Sequence, residues 1–119
     1  MGLLPAPVPL TLSGSAVADL TGRAEVTLGQ VPVGRRWRFT SVTVTAASTA
    51  LSTATLYRGI GDVPANVLDT TGPAGGNANT TGTIIDIGPG DLMRVVWTDC
   101  TPGAACSAVG YVTQYSGTP

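Results

Sequence analysis

The sequence predicts an all-β protein: a single β-sandwich or jelly-roll-like domain of seven to eight strands, preceded by an extended N-terminal arm. Three observations carry this. Short stretches rich in Val and Thr alternate apolar with polar residues, turns bearing Gly and Pro separate them, and no segment shows the 3.6-residue period of an amphipathic helix. At 119 residues the chain can bury one hydrophobic core and is too short for two.

Residues 1–14 read as the arm, because Pro5, Pro7 and Pro9 keep the backbone extended and remove alternate hydrogen-bond donors. The domain is expected over residues 15–119. It begins with two similar octets, Ser13–Leu20 and Thr21–Leu28, read either as two strands joined near Thr21-Gly22 or as one long strand kinked at glycine. Beyond the turn-like segment Gln30–Gly34, Trp37 and Phe39 occupy odd positions of a strand, whereas Val42 and Val44 occupy even ones. A β-bulge at Thr40-Ser41 would keep all four on one face.

Leu51–Arg58 reads as the next strand and Val67-Leu68 as a brief one. From Asp69 to Gly82 the chain is turn-rich and poor in apolar residues, which predicts a long exposed loop. Thr83–Ile87 is a short strand, and Gly88-Pro89-Gly90-Asp91 places Pro and Gly where a type II turn requires them. Leu92–Trp97 is apolar on both parities except at Arg94, as in a strand covered on both faces. The last strand is expected from Ala105 to Tyr115.

Charge restricts function sharply. Only 11% of residues are charged, against roughly 25% in ordinary soluble domains, and the six cations are all Arg, with no Lys and no His. A formal net charge of −1 offers no basic face for nucleic acid or an anionic membrane. Arg35, Arg36 and Arg38 form the one basic cluster, read as a solvated entry to a strand or as a contact for an acidic protein neighbour. No apolar run approaches the roughly 18 residues of a membrane span. The start, Met-Gly-Leu-Leu-Pro-Ala-Pro, lacks the positive charge and uninterrupted apolar stretch of a signal peptide, so synthesis and folding in a cytoplasm are expected.

Catalytic equipment is missing. Without His or Lys, a serine or cysteine nucleophile has no ordinary base beside it. Paired carboxylates among Asp62, Asp69, Asp86, Asp91 and Asp99 could in principle work on glycosidic bonds, but their spacing selects no pair, and acids beside turns serve their own backbone. With two Cys and no His a zinc site is excluded, and no acid spacing matches a calcium loop; no metal or cofactor is expected. Cys100 and Cys106 flank a turn at Pro102-Gly103, which leaves two readings: a disulfide across a hairpin, or two reduced buried thiols. Trp37 and Trp97 belong to the core by their strand patterns; Tyr57, Tyr111 and Tyr115 could stack on sugars if they share an exposed face.

Several phrases together carry a resemblance: Val33-Gly-Arg-Arg-Trp-Arg38 leading into Ser41-Val-Thr-Val-Thr45, Leu56-Tyr-Arg-Gly59, Gly88-Pro-Gly-Asp91 before Val95-Val-Trp-Thr98, and Pro102-Gly-Ala104. Over residues 25–112 the chain resembles small β-rich virion proteins of actinobacterial tailed phages. A Lys-free chain rich in Ala, Gly, Pro, Val and Thr has the composition of such high-GC coding sequences. The resemblance implies a non-enzymatic virion protein, a capsid decoration protein ahead of a minor tail protein. Its partners would be the major capsid protein or other virion proteins and further copies of itself, as in a trimer. It would be assembled in the host cytoplasm. Docking is expected through Leu3, Leu4, Pro5, Pro7 and Val8 of the arm, with Arg35 and Arg36 as polar contacts. A carbohydrate- or cell-wall-binding module is the second expectation.

Overall fold

The computed structural model describes residues 7–73, 78–81 and 84–116. Among these, nine strands form two antiparallel sheets packed face to face. They are β1 (Val8–Val17), β2 (Ala24–Gln30), β3 (Arg35–Ala46), β4 (Thr53–Arg58), β5 (Val67–Thr71), β6 (Ala78–Thr81), β7 (Ile85–Ile87), β8 (Leu92–Thr98) and β9 (Ala105–Ser116). The first sheet runs β1-β9-β3-β6, with β7 also on β3 beside β6; the second runs β2-β8-β4-β5. Most successive strands switch sheets, so the polar turns gather at the two ends of the sandwich and the apolar faces meet inside. The expected all-β sandwich is thus present, and the octets are two strands with Thr21-Gly22 in the connection.

Alternation explains the core. In β3, Trp37 and Phe39 point inward; the register against β9 shifts between Phe39 and Ser41, and Val42, Val44 and Ala46 then take the inner face. The expected bulge therefore lies where the parity changes. From the second sheet, Leu56, Val95 and Trp97 meet them, all fully buried. Trp37 packs edge-on to Phe39 at 6.2 Å and donates from Nε1 to Gln114 Oε1 at 3.0 Å, tying β3 to β9. Gly110 is small because it must be: a Cβ there would come within 2.9 Å of the Phe39 ring.

Two expectations need correction. The arm does not extend to residue 14: Val8–Val17 pairs with β9 along its whole length, from Val8 opposite Gln114 to Val17 opposite Ala105. β1 is an edge strand, where a proline is tolerated wherever the lost N–H would face solvent, so Pro9 does not break it. The loop expected over Asp69–Gly82 is also shorter, because β5 extends to Thr71 and β6 pairs with Val42–Thr45 of β3. Both are edge strands, which need no apolar core face; their β-branched Thr residues suit a half-exposed pleat. The turn at residues 88–91 is as expected, with Gly90 at φ 82° and Asp91 N–H donating to Gly88 O at 3.1 Å.

Candidate docking surface

β1, β9 and β3 lie side by side, so residues far apart in sequence form rows across the first sheet. At the end where β1 begins, Val8 stands opposite Gln114, Gln114 opposite Trp37, and Tyr115 opposite Arg36; on the other side of β3, Arg38 faces Asp86 of β7. Four of the residues expected to dock, Pro7, Val8, Arg35 and Arg36, therefore gather at one end of one sheet, and all four are exposed. Leu3, Leu4 and Pro5 lie outside the described residues.

An open cleft of about 400 Å³ occupies this end, lined by Arg36, Arg38, Asp86 and Tyr115 among others. Arg38 holds Asp86 with both ends of its guanidinium, Nε to Oδ1 at 2.8 Å and Nη2 to Oδ2 at 3.1 Å. That hydrogen bond holds the Asp86 carboxyl below the usual carboxylate range, and in return raises Arg38 further. Arg36 makes no ion pair among the described residues. The cleft thus has one free cation beside a fixed ion pair and a phenol, an arrangement that can receive an acidic or hydroxyl-rich group.

A second polar cluster lies on the outer face of the other sheet. Arg94, 5% exposed, donates to Gly59 O at 2.6 Å and to Glu25 Oε1 at 2.6 Å, forms an ion pair with Asp62 (Nη2 to Oδ1, 2.7 Å), and its guanidinium lies 5.2 Å from the Tyr57 ring centre. Arg23 bonds the same two carboxylates, at 3.1 and 2.9 Å. Hydrogen bonds from Arg23 and then Arg94 keep Asp62 well ionised. This cluster straps the segment after β4 onto the sheet. It was not expected, although a lone Arg in an apolar strand signals that acidic partners must exist.

Of the carboxylates, all but Asp99 have a hydrogen-bond or ion-pair partner among the described residues. Asp19 accepts from Thr21 Oγ1 at 2.6 Å, with Thr21 and Arg23 N–H as further donors, which lowers its pKa. Asp69 accepts from Thr70 N–H at 2.8 Å, and Asp91 from Gly88 N–H at 3.1 Å. A glycosidase acid needs a raised pKa; Asp19, Asp62 and Asp86 are shifted the opposite way. Cys100 and Cys106 lie with their sulfurs 4.0 Å apart as buried free thiols, and burial raises the Cys106 thiol to about 12. Trp37 and Trp97 are core residues; of the tyrosines, Tyr57 is covered by Arg94, Tyr115 lines the cleft, and Tyr111 is 49% exposed on the same face as Tyr115.

No family model and no curated protein matches the chain. Among solved structures it is similar to a protein of Bacillus endospore appendages, described as a novel family of disulfide-linked pili. That likeness has 12% identity and a TM-score of 0.54, covering 99% of this chain and 96% of that one. It is also similar to the CBM36-1 domain of a multidomain xylanase from the hindgut metagenome of Trinervitermes trinervoides, at 9% identity and TM-score 0.45 over 94% and 100% of the two chains. A third likeness is to a chain of infectious bursal disease virus Gx strain, at 14% identity and TM-score 0.46 over 96% of this chain and 33% of that one. At 12% identity the first likeness concerns the fold alone, and it goes no further.

Proposed function

We propose that the chain is a non-enzymatic structural subunit of a virion, most simply a capsid decoration protein, which docks on neighbouring virion proteins through the end of the first sheet where the arm emerges. The observation that supports this is the convergence of Pro7, Val8, Arg35 and Arg36 beside an open cleft holding an unpaired cation. The major capsid protein and further copies of the chain are the partners this reading names. The cysteines offer no bond between subunits, because both are buried.

The test is occupancy. Particles lacking the protein are incubated with purified wild-type chain, with a variant lacking residues 1–7, and with Arg36→Ala, and bound copies are counted. Hundreds of wild-type copies per particle, strongly reduced for both variants, support decoration. A handful at the tail would favour a minor tail protein, and unchanged occupancy of both variants would overturn the docking surface. Exposure of Tyr111 on the face of Tyr115 supports a second reading, a carbohydrate-binding module. Glycan binding lost in Tyr111→Ala and Tyr115→Ala would establish it.

A further inference from the structure

The two ends of the sandwich carry opposite charge. Around the start of β1, the exposed Arg35, Arg36, Arg38 and Arg58 outnumber the neighbouring carboxylates Asp69, Asp86 and Asp91, which leaves this arginine end net positive. At the opposite end lie the connections β1–β2, β3–β4 and β8–β9, joined by Cys100 N–H to Gly22 O at 3.0 Å and Thr49 N–H to Thr101 Oγ1 at 3.1 Å. Its exposed charges are Asp19 and Asp99, neither in an ion pair among the described residues. Arg23 nearby is spent on Glu25 and Asp62.

The aspartate end also carries a receptive surface. Ser15, Ser107 and Thr45 form one row across the outer face of the first sheet, with Thr45 and Ser107 hydrogen-bonded to each other, and Val17, Ala105 and Ala47 form the next. These rows line a trough of about 490 Å³. Around this end Val17, Leu20 and Leu51 are 66, 91 and 77% exposed, so bare apolar side chains border the trough.

We infer that the arginine end of one copy docks on the aspartate end of a second copy of this chain, whose trough receives the first copy's Leu-bearing N-terminal residues. This rests on the arginine end being the docking surface, and names its partner. Charge complementarity sets the direction: like ends repel, and unlike ends attract. Reach excludes the intramolecular alternative. Residues 1–7 span at most about 24 Å fully extended. Ser15, at the near rim of the trough, lies seven strand steps from Val8, about 23 Å, so a chain that must first reverse direction cannot fill its own trough. A copy placed ahead along the strand axis presents its aspartate end directly. Such a head-to-tail contact is heterologous: it closes into a ring such as a trimer, or propagates as a filament.

Sedimentation of the full chain at graded concentration and salt tests this, using Arg36→Glu, Asp99→Lys, their equimolar mixture, and a variant lacking residues 1–7. Wild type should associate, and more weakly as salt rises past about 0.15 M. Each charge reversal should weaken association by about tenfold or more, and the mixture should restore it because each variant then meets a complementary end. The truncated variant, which keeps all of β1, should also dissociate. A wild type that stays monomeric, or folded variants whose mixture fails to re-associate, would overturn the inference. If mixing Arg36→Glu with wild type strengthens association, the contact joins two arginine ends instead. A monomeric wild type whose arm-dependent particle binding is intact would sink this inference and leave the docking proposal standing.

Discussion

The outer faces of the two sheets are built from similar strands and end in different states. On the second sheet the protein covers its own face: Arg94 is buried on Glu25, Asp62, Gly59 and Tyr57, and the segment after β4 is strapped down. On the first sheet, Ser, Thr and Tyr side chains remain open, and the only ion pair among the described residues, Arg38–Asp86, is surface-exposed. The difference teaches where interaction can occur. A face closed by its own charges contributes to folding, whereas a face left open is available to another molecule.

Breaking the covered face should have the largest effect. Arg94→Ala leaves Glu25 and Asp62 without their buried cation; because both carboxylates are partly exposed, at 39 and 38%, the cost falls below that of a wholly buried pair, about 2–3 kcal/mol. Thermal melting should show a fall on the order of 10 °C. The acid limb of stability sharpens the same contrast. Asp62 and Asp86 have lowered folded pKa values, so their contribution is complete above the unfolded value near 3.9 and is lost as pH falls through it toward the folded values. Denaturation followed against pH should show a flatter decline below about pH 4 in Asp62→Asn than in wild type. Asp86→Asn, which loses one cation's contacts and not two, should differ less from wild type.

On the open face the effects shrink. Arg38→Gln should leave the urea-unfolding midpoint nearly unchanged, because the pair it breaks is solvated. Arg36→Ala should change stability by less than about 0.5 kcal/mol, having no ion pair to lose. A large loss of stability in Arg36→Ala would place that residue in the fold and remove it from docking.

Most of the fold was legible in local pattern. Apolar patterning located the bulge after Phe39 and the buried Trp37 and Trp97, and Pro89-Gly90 located the type II turn, because each depends on neighbours within a few residues. What escaped depended on distant partners. The start of β1 was hidden by Pro9, whose tolerance follows from edge position; β6 was hidden because its Thr-rich sequence needs no core face. The Arg94 cluster joins residues 69 positions apart, and nothing near Arg94 announces Glu25. At the candidate surface, the sequence named Arg35, Arg36, Pro7 and Val8 separately. That they share one end follows only from β9 lying between β1 and β3.

The most direct test of this contrast is hydrogen–deuterium exchange on the free chain and on the chain in its native assembly. Assembly should protect the start of β1, the end of β9 and residues 31–36 while leaving residues 59–66 unchanged. Protection confined to residues 59–66, with the arginine end exchanging as in the free chain, would contradict the account.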